Sequence, residues 1–160
     1  KQIKEDKFFS STNFDILLEE ILVSFKESSG KNISLSTKND KNKINIKRSP
    51  EIIYGLRNFI GNAVKFANKD VIVEIASDEN NVVIDIKDDG PGFPDDIIDN
   101  IGEPYIVSRS QLVKLNAGTG LGTFLGKTLL ERKGAQLKFI NGNKLKGACV
   151  SISWDISSLI

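Results

Sequence analysis

The twelve residues 56–67, Leu-Arg-Asn-Phe-Ile-Gly-Asn-Ala-Val-Lys-Phe-Ala, constrain the fold more than any other part of the chain. Leu56, Phe59, Ile60, Ala63 and Ala67 recur at helical spacing and form one apolar stripe, which must be buried against another element. Asn58, Asn62 and Lys65 stand at i, i+4 and i+7 on the other side. The start of this helix is written just upstream. Ser49 is a good N-cap, Pro50 suits the first helical position, and Glu51 puts a carboxylate in the first turn. Two amides and an ammonium on one stripe can cradle a metal-bound polyphosphate. They can equally be the solvated side of an ordinary amphipathic helix, and these residues alone leave both readings open.

Around this helix the periodicity predicts a short strand over 8–12, then a helix over 14–26 capped by Asn13 and stopped at Ser28-Ser29-Gly30. Residues 32–38 alternate as a strand, with Ile33 and Leu35 on one face, and 44–46 form a short strand. Segments 71–76 and 82–87 are strands joined through the turn Asp78-Glu79-Asn80-Asn81. Residues 119–132 return to helical spacing, with Leu121, Phe124, Leu125, Thr128 and Leu129 expected on the packed side and Gly134 at the end. Strands over 135–140 and 146–154 follow around Gly142, with Trp154 closing the core. The order helix, strands, helix, hairpin, long loop, helix, hairpin implies an α+β fold. It is a two-layer α/β sandwich with about three helices on one face of a mixed, mostly antiparallel sheet. The connection over 93–118 has no clear period beyond a short helix near 95–100. A loop this long in a compact domain is usually functional or disordered.

Composition narrows the chemistry. With 160 residues, 39% hydrophobic and 27% charged, the chain has the makings of one globular domain. A net charge of +1 gives no overall footprint for nucleic acid, and no apolar run nears the roughly 18 residues that span a bilayer. The lone cysteine, Cys149, suits a reducing compartment and reads as a small core residue on a strand. The lack of methionine makes the chain read as a segment of a longer protein. The lack of histidine excludes His-based acid/base chemistry, Ser-His-Asp triads and His-ligated metals from this segment. Amides, carboxylates, lysines and backbone groups are left to do the work, or a group supplied from outside it.

Two glycine clusters bear on that work. Gly118-Thr119-Gly120-Leu121-Gly122 opens a helix, where free N–H groups and the positive dipole end favour phosphate. It is not a Walker A loop, because Leu121 stands where that motif needs glycine, and not a dinucleotide fingerprint, because Leu125 does. Asp88, followed by Gly90-Pro91-Gly92, ends a buried strand at a sharp turn. A carboxylate there can accept from an exocyclic amino group such as that of adenine, or belong to a solvated Asp-Gly turn. The nearby acids Asp89, Asp95, Asp96 and Asp99 do not have EF-hand spacing and read as a solvated loop face.

Three stretches, in this order, resemble a known family. Asn58-Phe59-Ile60-Gly61-Asn62-Ala63-Val64-Lys65-Phe66 resembles the N box of sensor histidine kinases, and Asp88-Asp89-Gly90-Pro91-Gly92 their first glycine box. Gly118-Thr119-Gly120-Leu121-Gly122 resembles the second glycine box, and Gly102-Glu103-Pro104-Tyr105 between them is similar to the F box, with Ile101 and Tyr105 where phenylalanines are commoner. The family is the GHKL superfamily, with the Bergerat ATP-binding fold, and the resemblance runs from about residue 8 to 154. Details of the F-box region and of 128–132 look closest to redox-responsive global-regulator sensor kinases. Gly61, Thr123 and the F-box residues depart from the commonest pattern.

The resemblance implies ATP and Mg²⁺ as cofactors. It implies that Asn62 coordinates Mg²⁺, that Asn58 helps hold metal and phosphates, and that Lys65 neutralises phosphate charge, these three forming the catalytic set. Phe66 would pack near the nucleoside, Asp88 would accept from the adenine amino group, and Gly90 and Gly92 would shape the adenine pocket. Gly118, Thr119, Gly120, Leu121 and Gly122 would serve the phosphates, residues 93–117 would form an ATP lid, and Arg109 would reach phosphate from it. Related ATPases place a water-activating glutamate one turn before the metal-binding asparagine. Here that residue is Asn58, which takes no proton at neutral pH, so the resemblance favours a kinase over an ATPase. It implies a catalytic and ATP-binding domain over 8–160, with 1–7 a linker or the end of a preceding dimerisation helix. The acceptor histidine would lie on a separate dimerisation domain of the same protein, a homodimer, with relay to a response regulator. The segment would be cytoplasmic and not membrane-inserted, in a parent anchored in a bacterial inner membrane. A nucleotide-sensing module without transfer activity, or a protein-serine kinase of the same superfamily, remains open from sequence.

Overall fold

The computed structural model describes residues 11–38, 44–95, 98–101 and 121–160. Strand β1 (Ser11–Asn13) leads directly into helix α1 (Phe14–Ser29), where the Asn13 side chain accepts from the Asp15 N–H and Gly30 forms the C-cap. Strand β2 (Asn32–Lys38) and the short β3 (Asn45–Lys47) precede helix α2 (Pro50–Phe66). Its N-cap is Ser49, whose hydroxyl accepts from the Ile52 N–H. The hairpin β4 (Asp70–Ser77) and β5 (Asn81–Asp88) is followed by a 3-10 turn at Ile98–Asn100, helix α3 (Leu121–Arg132), and the pair β6 (Gln136–Asn141) and β7 (Ala148–Asp155). The first expected strand is therefore found only as Ser11–Asn13, since residues 8–10 lie outside the described residues.

Five strands form one sheet in the order β2-β4-β5-β7-β6. Only β2 and β4 run parallel, and the crossover that this requires carries β3 and α2. The other neighbours are antiparallel. β1 and β3 make a separate two-stranded ribbon, with Thr12 opposite Ile46. One face of the sheet, bearing Val73, Ile84, Ile86, Ile152 and Trp154, joins Phe14, Leu18, Leu56, Phe59 and Ile60 of the helices in a single core. Trp154 is buried and meets the Phe14 ring at 5.5 Å, closing the core as expected. The mixed, mostly antiparallel sheet with, among the described residues, three α-helices is the architecture that the element order implied.

Two packing details depart from the sequence reading. Among the described residues of α3 the buried positions are Gly126 and Leu130, while Leu125 is 42% exposed. The helix turns its smallest residue to α2: a Cβ on Gly126 would lie 3.2 Å from Asn58 Cβ, and one on Gly55 2.5 Å from Leu130 Cγ. A stripe drawn from hydropathy misses such a contact, because glycine buries by close approach rather than by its own apolar area. Cys149 is buried, but strand alternation turns it away from Val150 and the helices. It sits on the outer face, in register between Lys87 and Ile140. Burial, and then the nearby Asp85 charge, push its thiol up to about 11, so it is not a reactive thiolate.

That outer face also holds a buried carboxylate. Glu74 is surrounded by Lys87, which donates to Oε1, by Lys144 at 3.0 Å from Oε2, and by Lys38 at 3.6 Å. The Lys87 hydrogen bond, opposed by desolvation and helped by Lys144, pulls Glu74 from 4.5 to about 2. Lys144 lies in the connection from β6 to β7, so the pair ties that connection to the sheet.

Candidate nucleotide-binding site

The sheet and α2 diverge at the C-terminal end of α2, leaving an open cleft. Its walls are Phe59 and Phe66 from α2, Ile86 from β5, Phe139 from β6 and Val150 from β7, with Phe93 and Pro94 beyond the end of β5. Phe139 meets Phe93 edge-on at 5.8 Å and Phe59 at 5.9 Å, which gives the cleft a continuous aromatic side. Its polar lining among the described residues is sparse: Asn62, Thr123 and Asp88.

Asp88 is the last residue of β5 and only 4% exposed. Its Oδ1 accepts from the Gly90 N–H at 2.8 Å and the Ala148 N–H at 3.3 Å. Oδ2 makes no hydrogen bond to a described residue, and Asp88 is one of the residues that line the cleft, where a carboxylate oxygen can accept from a ligand N–H. Desolvation raises the Asp88 pKa, against the lowering effect of the two N–H donors. An apolar cleft lined by a single carboxylate among the described residues fits a flat heterocycle carrying an amino group.

The backbone around Asp88 approaches so closely that side chains are excluded. A Cβ on Gly90 would stand 2.3 Å from the Phe66 carbonyl oxygen, and one on Gly147 would stand 2.3 Å from the Asp88 carbonyl oxygen. Gly92 has φ +82°, a conformation that favours glycine. Asp89, expected in a solvated loop face, instead accepts from the Asn68 N–H at 2.7 Å and the Lys69 N–H at 3.0 Å. Desolvation raises its pKa, but the backbone donors outweigh that and hold it below the usual value. It fastens the end of β5 to the turn after α2. Asp95 and Asp99 are exposed as expected, and Asp96 lies outside the described residues.

The expected site residues do not all converge. Asn62, Phe66, Asp88 and Gly92 line the cleft, and Gly90 is buried behind Asp88. Asn58 does not line it and is half covered by Gly126 of α3. Lys65 is exposed, with its ammonium 5.7 Å from the Phe66 ring centre, and it too is outside the lining. Of the second glycine box, Leu121 and Gly122 begin α3, while Gly118, Thr119, Gly120 and Arg109 lie outside the described residues. Asn62 Nδ2 donates to Thr123 Oγ1 in a long hydrogen bond of 3.4 Å, which leaves the amide oxygen for other ligands. Sequence reasoning missed Thr123 as a partner of Asn62, and it missed Phe139, Gly147 and Ala148. The signals that could have found them are the alternation over 136–141, which puts Leu137 and Phe139 on one face, and the glycine at 147 beside the last strand.

Comparison with known proteins places the chain in a family. The family described as histidine kinase-, DNA gyrase B- and HSP90-like ATPase matches residues 47–158. The chain belongs to this ATPase family. Sensor histidine kinase RegB of Cereibacter sphaeroides is 38% identical over 130 residues, covering 72% of this chain but 28% of RegB. Sensor protein kinase PilS of Pseudomonas aeruginosa is 35% identical over 72 residues, covering 45% of this chain and 12% of PilS. The chain thus spans little more than a quarter of the length of the first of these relatives. Among solved structures, a mycobacterial sensor histidine kinase, MprB, superposes with a TM-score of 0.73 at 16% identity, covering 92% of this chain and 97% of that one. The catalytic domain of histidine kinase ThkA gives a TM-score of 0.74 at 19% identity, covering 94% and 98%. At these identities the structural likeness establishes the shared fold.

Proposed function

We propose that this chain is the ATP-binding catalytic domain of a sensor histidine kinase, delivering the γ-phosphate to a histidine on a separate helical dimerisation domain for relay to a response regulator. The observation that carries transfer over hydrolysis is the lining of the cleft. Among the described residues its only ionisable group is Asp88, which is buried, paired to two N–H groups and committed to the base end. Asn58, at the place of the ATPase glutamate, has no basic site. Water therefore lacks an activating carboxylate, whereas a neutral imidazole already carries its lone pair. Transfer then rests on positioning and charge neutralisation.

In this reading Asp88 Oδ2 accepts from the adenine amino group, and Phe66 and Phe93 flank the base. The polar end would suit Mg²⁺, a hard cation that takes oxygen ligands, with the Asn62 amide oxygen as the protein's neutral donor. When bound, the ion neutralises phosphate charge; Asn62 holds it, Asn58 supports Asn62 from one turn away, and Lys65 and the start of α3 take the phosphates. Arg109 and residues 93–117 form the lid. The parent is a dimer anchored in the inner membrane, and residues 1–7 lead from its dimerisation domain. No helix among the described residues is long and apolar enough to cross a membrane. The similarity to RegB favours the redox-responsive global-regulator group, and a structure of histidine kinase ThkA in complex with response regulator TrrA shows the kind of partner expected.

Titration calorimetry with Mg·ATP tests the site. Asp88→Asn keeps the shape but turns a donor toward the amino group, and should weaken binding by at least tenfold. Undiminished affinity would overturn the assignment. Incubation with γ-labelled ATP and the parent's histidine-bearing domain should give an acid-labile phosphoprotein. An acid-stable product would point to a serine kinase, and tight binding without transfer to a sensing module.

A further inference from the structure

The connection between β6 and β7, taken from Asn141 at the end of β6, carries two asparagines that reach across to the end of β5 and the loop after it. Asn141 accepts from the Phe93 N–H at 2.7 Å through Oδ1 and donates to the Phe93 carbonyl at 2.8 Å through Nδ2. Both amide groups are therefore spent on one residue, as in a pair of backbone strands. The same Oδ1 lies 2.8 Å from where a Cβ on Gly92 would be, so the fit is close as well as polar. Two residues on, Asn143 Nδ2 donates to the Ala148 carbonyl at 2.7 Å and to the Asp88 carbonyl at 3.2 Å, while its Oδ1 accepts from the Leu145 N–H. Behind them, Lys144 is held by buried Glu74.

We infer that this connection is the positioning element of the base-binding half of the cleft, with Asn141 setting Phe93 and Asn143 setting Asp88. Neither asparagine lines the cleft. Each acts through a residue that does. The inner face of β6 adds Phe139, two residues before Asn141, as the ring that Phe93 meets edge-on. Asn141 thus fixes Phe93 from its backbone and Phe139 fixes it from its ring, at the point where the chain leaves the sheet. Asn143 joins the carbonyl of Asp88 to that of Ala148, whose N–H in turn holds the Asp88 carboxylate. The inference rests on the reading of the cleft as an adenine-nucleotide site.

The test uses Asn141→Ala and Asn143→Ala, titrated with ATP, ADP and adenosine under conditions where urea unfolding shows each variant fully folded. Loss of positioning at the base end should weaken all three ligands by the same factor, roughly three- to tenfold, since each carries the same base and each variant removes the side-chain hydrogen bonds that set one lining residue. Unchanged affinities in the folded variants would overturn the inference, as would a loss confined to ATP, which would place the effect at the phosphates. Absence of binding to the unaltered chain would overturn the nucleotide reading itself and the inference with it. Hydrogen exchange supplies a second readout that needs no variant. The Phe93 amide should be protected in the free chain and more so with adenosine bound. A rapidly exchanging Phe93 amide in both states would refute the Asn141 clamp.

Discussion

Replacing Glu74 by glutamine should cost about 2–3 kcal/mol of stability at neutral pH. The carboxylate is buried, and its pKa falls from 4.5 to about 2 through the Lys87 hydrogen bond, desolvation opposing it and Lys144 assisting. At about 1.4 kcal/mol per factor of ten, that fall corresponds to about 3 kcal/mol. The raised pKa of Lys87 describes the same interaction and adds nothing. Some of the effect is screened, since the Lys38 and Lys144 side chains are 60% and 53% exposed, whereas that of Lys87 is 18% exposed. The sign follows from the depressed pKa. The stabilisation is complete above the unfolded value and is lost as pH falls toward the folded one, with about half gone near pH 3. Urea unfolding of both proteins at pH 7 and pH 3 measures the gap. It should be about 2–3 kcal/mol at pH 7 and clearly narrower at pH 3. A gap below about 1 kcal/mol at pH 7, or one independent of pH, would refute the argument.

Gly147→Ala should lower stability by about 2 kcal/mol or more, because its Cβ would meet the Asp88 carbonyl oxygen at 2.3 Å and backbone cannot rotate away. Thermal unfolding would show it, and a wild-type midpoint would count against the close approach. Lys31→Met should cost about 1 kcal/mol, since the Lys31 ammonium caps the C-terminal end of α2 at 2.5 Å from the Val64 carbonyl and 2.8 Å from that of Ala67. The loss should persist in 1 M salt to the extent that it is hydrogen bonding rather than dipole attraction, and a fully salt-sensitive loss would argue otherwise.

The layer architecture, helix α2 with its Ser49-Pro50 start, the Asn13 cap and the position of Asp88 at a strand end were all legible in the chain. Each is written in local periodicity, capping chemistry or glycine spacing, and the physics behind it acts within a few residues. What the helical stripe could not show was which of its polar residues reach the cleft. Asn58, Asn62 and Lys65 share a side of α2, yet only Asn62 lines the cleft, because α3 lies over Asn58 and the helix turns Lys65 outward. Likewise, the packed face of α3 was decided by the meeting of Gly126 with Asn58 and of Leu130 with Gly55, two contacts between elements far apart in sequence. Asn141 and Asn143 carry no motif, and their partners Phe93 and Asp88 are 48 and 55 residues away. By itself the sequence determined most of the elements, the family resemblance and the place of a carboxylate at the end of β5. Only the folding of β6 and β7 back against β5 decided what holds that carboxylate in place, because pairing between distant strands sets register and close approach, and no local pattern encodes either.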